Sequence, residues 1–259
     1  MLNEIINNKL KEVNQLRETL DISGININSN KKNHFYKRLL KNQNNKKNSI
    51  IAEIKRRSPS KGVLAENLNV SKTVSEYESG GAACISVLTE KDYFNGSNED
   101  LLEAKNSINL PLLRKDFMLD PIQIYESKML GADCVLLIVS ALSQSTYKQL
   151  FELASKLDLD VLTEVHDIYE LDFALSQNAK LIGINNRNLK SFDVDINTSI
   201  DLARTINDND IVLVSESGIS SSSDIITLNS SGIYTFLVGE HLIKSKNITN
   251  ELGVLINGE

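Results

Sequence analysis

Cysteine, proline and histidine are scarce in this chain of 259 residues, with two, three and three copies respectively. The two cysteines, Cys84 and Cys134, lie in apolar, strand-like runs. They read as small buried hydrophobes, not as a disulfide or a metal pair. His34, His166 and His241 are too scattered for a zinc site, and no metal is expected. No apolar run reaches the roughly 20 residues of a membrane span. The opening residues MLNEIINNK lack a basic stretch followed by an apolar one, so no signal peptide is expected. An excess of positive charge is also missing. The formal net charge is -6, which argues against a general nucleic-acid binder and means that an anionic substrate needs a local basic pocket. The Gly-rich first turn of a dinucleotide-binding doubly wound sheet is absent.

What is present, from Ser49 onward, is alternation. Strand candidates are Ile50–Lys55, Cys84–Leu88, Leu112–Lys115, Cys134–Val139, Val161–Glu164, Leu181–Asn185, Ile211–Ser215 and Ile233–Val238. Helix candidates between and after them are Val70–Ser79, Asn98–Asn106, Pro121–Leu130, Gln144–Leu157, Ile168–Ser176, Asn197–Ile206, Ser222–Leu228 and Asn247–Leu255. Pro121 after Asp120 marks a helix start, and Gly80, Gly81 and Gly131 mark helix ends. Repeated strand–helix units imply a parallel sheet, and this number of units over this length predicts a (β/α)8 TIM barrel. A doubly wound sheet is the competing fold, but it usually has fewer strands. Residues 1–48 lie outside the alternation and are predicted to form an N-terminal helical extension, with helices over Leu2–Leu20 and His34–Leu40. The Lys- and Asn-rich run 41–48 reads as a solvated connector. Residues 49–259 are assigned to the barrel.

The segment Ile51–Gly62, IAEIKRRSPSKG, begins as a buried strand yet carries Glu53 and Lys55. Positions two apart share a strand face, so both side chains can meet one ligand. Charges there cost stability unless they are paired or used. Lys55, Arg56, Arg57 and Lys61 suggest a cationic rim. Ligands of such a barrel contact the C-terminal strand ends. Those ends offer Ser58 after the first strand, Tyr93, Phe94, Asn95 and Gly96 after the second, and Arg114, Lys115, Asp116 and Phe117 at the third. The fourth offers only Ser140, and the fifth gives Glu164. Asn185 and Arg187 follow at the sixth, Glu216, Ser217 and Gly218 at the seventh, and Gly239 and Glu240 at the eighth. Any one of these is explained by a surface ion pair; convergence of the set at one face is not. Gly218 and Gly239 suit a phosphate held by backbone N–H groups. His166 adds little beyond a place to cap the next helix.

The strings AEIKRRSPSKG, SVLTEKDYFNG, LLRKDF, GADCVLLIVSAL, LTEVHD, IGINNRNL, VSESGI and FLVGE occur in this order from about Ile50 to Leu242. Together they resemble the indole-3-glycerol-phosphate synthase family of tryptophan biosynthesis, in its single-function form. The resemblance implies a cofactor-free lyase. Its expected reaction converts 1-(2-carboxyphenylamino)-1-deoxyribulose 5-phosphate to indole-3-glycerol phosphate, CO2 and water. By the same resemblance, Lys115 is the general acid of ring closure and Glu164 serves the dehydration half. Lys55 stands between phosphate binding and acid catalysis, and Glu53 and Glu216 orient and balance the lysines. Asn185 and Ser217 belong with this catalytic set. How the protons divide among Lys55, Lys115 and Glu164 stays open.

Arg187, Ser58 and Asn185 match contacts to the carboxyphenyl end. Phe94 and Phe117 flank the ring or fill the core. Phosphate is expected at Gly218 and Gly239 with help from Lys55. Glu240 departs from members with a small hydroxyl residue there, so only its backbone N–H is expected at the phosphate. The implied partner is the small phosphorylated aromatic substrate, with neither nucleic acid nor membrane. A cytoplasmic monomer is expected, with at most weak association with other enzymes of the pathway. Two readings compete. One is another phosphate-binding barrel such as phosphoribosylanthranilate isomerase, whose acid–base pair is typically Cys and Asp at strand ends; no cysteine stands at such an end here. The other is a non-catalytic barrel subunit, which should have lost some of Glu53, Lys55, Lys115, Glu164 and Asn185; all are present.

Overall fold

The computed structural model describes residues 2–25, 34–188 and 191–258. Leu189, the last residue of the IGINNRNL string, and residues 1 and 26–33 of the N-terminal extension lie outside them. Eight parallel strands close into a barrel: β1 (Ser49–Ile54), β2 (Cys84–Leu88), β3 (Leu112–Lys115), β4 (Cys134–Ile138), β5 (Asp160–Val165), β6 (Leu181–Asn185), β7 (Val212–Glu216) and β8 (Thr235–Val238). Each pairs with its neighbours in sequence, and β8 returns to β1, as in the Ile51–Leu237 register. The ring has no free edge. The helices are α1 (Leu2–Thr19), α2 (His34–Asn44), α3 (Val70–Ser79), α4 (Asn98–Ser107), α5 (Pro121–Met129), α6 (Gln144–Lys156), α7 (Ile168–Ser176), α8 (Asn197–Ala203), α9 (Ser222–Asn229), α10 (Glu240–Lys244) and α11 (Ile248–Asn257). None of the described helices is long and apolar enough to cross a membrane.

Strand alternation divides the core in two. Ile50, Ala52 and Ile54 of β1 pack outward against the helices, whereas Ile51 packs inward with Cys84, Leu113, Cys134, Leu162, Leu181 and Val212. Phe35 and Leu39 of α2 are fully buried against that inner cluster and plug the N-terminal end of the barrel. Both cysteines sit in this layer as free thiols, pushed well above the usual thiol pKa by burial.

Most element boundaries fall where the sequence put them, and the departures have local causes. β7 ends one residue later than expected, which makes Glu216 its last member. Val139 leaves β4 for a single 3-10 turn, Val139–Ala141. α8 stops at Ala203 because Thr205 and Ile206 donate to Leu202 and Ala203 three residues back, tightening the last turn. The polar run 41–48 is only partly connector: α2 continues to Asn44, and the turn ends through Lys46 at φ 53°. Its side chains are used, not merely solvated. Asn42 donates to Ser49 Oγ at 2.9 Å, Gln43 to the Ile211 carbonyl at 2.9 Å and Asn48 to the Ile256 carbonyl at 3.1 Å. A short hairpin, Arg57–Ser58 with Gly62–Val63, stands in the loop after β1.

Consecutive residues of β3 face opposite ways, with large consequences. Arg114 points out of the barrel and is 3% exposed. All five of its N–H groups are spent: on Thr89 at 3.2 Å, the Gln123 carbonyl at 3.3 Å, Ser127 at 3.0 Å, Asn98 at 3.0 Å and Glu126 at 2.6 Å. It ties β3 to α4 and α5 and takes no part in the mouth of the barrel. Removing one partner of such a buried network strands the others without water. Arg114→Met is therefore expected to lower the unfolding free energy by about 3–5 kcal/mol, read as a fall in the urea midpoint at unchanged slope.

Candidate active site

The inward positions near the C-terminal ends of the alternate strands β1, β3, β5 and β7 are Glu53, Lys115, Glu164 and Glu216. In a barrel of this type such positions stack as one layer of four side chains. Here the layer is charged. Lys115 Nζ lies 3.1 Å from Glu216 Oε2 and 3.3 Å from Glu164 Oε2. Glu53, Glu164 and Glu216 are 2–3% exposed. Burial works against the charge of Lys115, but the carboxylates of Glu216, Glu164 and Glu53 outweigh it and raise its pKa. Burial likewise opposes the charge of Glu164, and Lys115, His166 and Asn185 outweigh it, holding this carboxyl well below its ordinary range. Glu216 goes the other way. Burial and the neighbouring carboxylates push it up to about 7 in spite of Lys115. Lys115 is thus a retained ammonium beside one firmly ionised carboxylate and one that takes up a proton near neutrality.

Above this layer Lys55 Nζ bonds Glu53 Oε2 at 2.5 Å, as their shared strand face foretold. Of the expected cationic rim, Lys61 acts with Lys55 on Glu240 at the cavity, whereas Arg56 and Arg57 do not line it. Arg56 is held in a two-pronged pair by Asp100 of α4 and lies outside the mouth, because the chain turns into the hairpin at this point. Arg57 is exposed. Ser58 is buried in the hairpin, where its Oγ accepts from the Lys61 amide at 3.2 Å.

Asn185 Nδ2 donates to Glu164 Oε1 at 3.1 Å, and its oxygen accepts from Ser217 Oγ at 3.0 Å and from the Arg187 amide at 3.1 Å. It links the ends of β5, β6 and β7. The Arg187 guanidinium donates to the Phe192 carbonyl at 3.1 Å. Phe94 and Phe117 stand 6.5 Å apart between ring centroids, tilted by 39°. Phe94 is placed by Glu90, whose buried carboxylate accepts from the amides of Asp92, Tyr93 and Phe94.

Ser217 and Gly218 both take left-handed backbone, at φ 66° and 86°. A side chain at Gly218 would also meet Val194. Gly239 begins the short α10 at φ -121°, so conformation does not call for glycine there; space does. A Cβ on Gly239 would fall 2.5 Å from Glu53 Oε2. Glu240 is drawn aside by Lys244, whose Nζ lies 2.6 Å from its Oε1.

Glu53, Lys55, Ser58, Phe94, Lys115, Phe117, Glu164, Asn185, Arg187, Glu216, Ser217, Gly218, Gly239 and Glu240 all line one cavity of about 600 Å³ at the C-terminal end of the barrel. Of the other strand-end residues read from sequence, Asp116 lines the cavity too, whereas Tyr93, Asn95, Gly96, Arg114 and Ser140 do not. Leu136 and Ile138 of β4 supply an apolar side to it, the contribution of the strand that had offered only Ser140.

Three features were missed. First, Leu2 and Ile5 of α1 line the cavity, so the extension reaches the mouth. Lys9, one turn beyond Ile5 on the buried face of α1, bonds Asp116 at 3.0 Å, next to Lys115 in the chain. A lysine within the apolar stripe of an amphipathic helix was the available signal. Second, His166 does not cap α7; Asp167 does. His166 lies between Glu164 Oε1 at 3.4 Å and Glu170 Oε2 at 3.0 Å. Burial lowers its affinity for a proton, but the two carboxylates outweigh this and raise its pKa to about 10. Third, Gly183 of β6 adjoins Glu216, which no local pattern announced.

The chain matches the family described as "Indole-3-glycerol phosphate synthase" over residues 2–255. Among its relatives, the indole-3-glycerol phosphate synthase of Delftia acidovorans is 48% identical over 202 residues, 76% of this chain and 75% of that protein. The enzyme of the same name from Carboxydothermus hydrogenoformans is 46% identical over 218 residues, 84% of this chain and 83% of that one. More distant solved structures share the barrel alone. Thiamine phosphate pyrophosphorylase from Pyrococcus furiosus superposes at a TM-score of 0.60 with 15% identity, over 82% of this chain and 94% of that chain. A 3-hexulose-6-phosphate synthase does so at 0.62 with 13% identity, over 81% and 98%. By its match along nearly the whole length and by the identity of these relatives, the chain belongs to the indole-3-glycerol phosphate synthase family.

Proposed function

We propose that this chain closes 1-(2-carboxyphenylamino)-1-deoxyribulose 5-phosphate to indole-3-glycerol phosphate, releasing CO2 and water, as a carboxy-lyase of tryptophan biosynthesis. The observation that carries the residue roles is the Lys115 ammonium held 3.1–3.3 Å from two carboxylates on the cavity wall. The ring carbon that bears the carboxylate attacks the ketone carbon, and its electrons pass to the ketone oxygen. That developing alkoxide takes a proton from Lys115, which its carboxylate neighbours keep charged until a stronger base arrives. Loss of CO2 then returns an electron pair to the benzene ring. In the dehydration half, Glu164 acts as base on the proton next to the ring nitrogen, since Lys115, His166 and Asn185 hold it ionised. The hydroxyl leaves as water with a proton from an ammonium, supplied by Lys55 or Lys115.

Binding follows the wall. Phe94 and Phe117 offer faces to the carboxyphenyl ring, while Ser58 and Arg187 serve its carboxylate. The phosphate sits at the Gly218 and Gly239 loops with Lys55, and only the backbone of Glu240 faces it.

Adding the substrate to the purified protein is expected to produce indole fluorescence; a well-folded protein that gives none overturns the reading. Lys115→Met should lower kcat by about 10²–10⁴-fold with only a modest rise in KM. A variant that keeps most of the rate removes Lys115 as proton donor. His166→Gln takes a cation from beside Glu164, favouring the neutral carboxyl. The acid limb of the kcat profile is therefore expected to move to higher pH, and an unmoved limb would mean that His166 does not act on Glu164.

A further inference from the structure

Glu216 presents two unlike oxygens. Oε2 meets Lys115 at 3.1 Å. Oε1 is buried and has no hydrogen-bond partner among the described residues, although an unpartnered carboxylate oxygen is costly in a dry interior. The residue beside it is Gly183, in the middle of β6, whose register neighbours are Glu164 on β5 and Val214 on β7. A Cβ built on Gly183 would fall 2.1 Å from Glu216 Oε1, inside any possible contact, and 3.2 Å from its Cδ. Gly183 is not among the residues with positive φ, so its backbone does not call for glycine. Only the space does. The next atom that a Cβ would meet is Leu162 Cδ1 at 3.3 Å, a contact that a small shift relieves.

We propose that Gly183 is a positioning residue for ring closure: the volume of its missing side chain seats Glu216 Oε1, and that seat turns Oε2 onto Lys115. This rests on the roles given above for Lys115 and goes beyond them by naming what aims its partner. The seat is steric, not polar. The oxygen fits only where no carbon occupies the inward position of β6, and with that position filled the carboxylate must rotate or withdraw. The clashing atom is the far end of a flexible side chain, so filling the seat displaces Glu216 and leaves the strand in place.

The test is a four-enzyme set: wild type, Gly183→Ala, Glu216→Asp and the double variant. Gly183→Ala is expected to fold with a thermal midpoint near that of wild type. It should lose about 10²-fold in kcat, the size of a misplacement of roughly 1 Å, with a smaller change in KM. Its alkaline limb should move to lower pH, because Lys115 loses a carboxylate neighbour. Glu216→Asp, shorter by one methylene, should slow the enzyme that has Gly183. In the Gly183→Ala background it draws the carboxylate back from the new methyl and should restore part of the lost rate. That change of sign between backgrounds is a coupling which independent defects do not produce.

A Gly183→Ala enzyme with wild-type kcat and pH profile overturns the proposal, and so does a Glu216→Asp effect equal in both backgrounds. A ¹³C NMR titration of the glutamate carboxyls in substrate-free protein reads the seat without turnover. The signal lost in Glu216→Gln, which titrates at about 7, should change its midpoint in Gly183→Ala. A changed midpoint in a protein that makes no product leaves the seat standing and discards the reaction; an unchanged one discards the seat.

Discussion

One ammonium group among three carboxylates governs this structure. Lys115 stands in a layer that barrels usually fill with branched apolar side chains, and Glu53, Glu164 and Glu216 surround it there. Buried charge is tolerable only when paired, and pairing here is mutual. Remove the lysine and three carboxylates face one another; remove a carboxylate and the ammonium is less firmly held. The layers beneath are apolar, with Leu113, Leu162 and Val214 below Lys115, Glu164 and Glu216 on their own strands. The barrel thus confines its polar cost to one level, the level that opens into the cavity.

Everything around that level acts to fix it. Arg114 faces the helices while Lys115 faces the axis, so the fully bonded guanidinium locks the register that delivers the ammonium. Asp116 continues the pattern: Thr89 donates to it at 2.6 Å, and Lys9 of α1 reaches it at 3.0 Å. Burial opposes the charge of Asp116, but Lys9 and Arg114 outweigh this and hold its pKa down. The N-terminal extension is therefore joined by a buried ion pair to the residue that follows β3. Asn185 and Asn186 divide similarly at β6. Asn185 meets Glu164 and Ser217, while Asn186 donates to Ser215 and to the Ser217 carbonyl, each at 2.9 Å.

The barrel and its mouth were legible in the sequence because their signals are local. β-branched runs, caps such as Asp120 before Pro121, and a charge at the end of nearly every strand can be read without knowing what packs on what. The same locality explains what was missed. Arg56 and Lys55 are adjacent and look alike in a basic run, yet one binds Asp100 and the other Glu53; the turn that parts them is set by a hairpin of two short strands. His166 looked like a cap because it precedes a helix, but its carboxylate partners lie two residues before it on β5 and four residues after it on α7. Gly183 carries no signal at all, since an interior glycine declares its purpose only when the side chain on the next strand is seen.

Charge balance suggests why the site is built from pairs instead of from lysines alone. The substrate arrives with a carboxylate and a phosphate, both negative, and each favours the protonated form of any lysine nearby. A site of unpaired lysines would bind this polyanion tightly in ground state and transition state alike, lowering KM without speeding the chemistry. Glu53 and Glu216 offset part of that attraction before the substrate enters. On the roles proposed above, the carboxylate departs as neutral CO2 after Lys115 gives up its proton, so negative charge at the ring end then falls. The ammonium is then restored less by the substrate than by the carboxylates of its own layer. On the same proposed roles, Glu216, whose pKa is raised by burial and by its carboxylate neighbours, is the member of that layer best matched to pass one back.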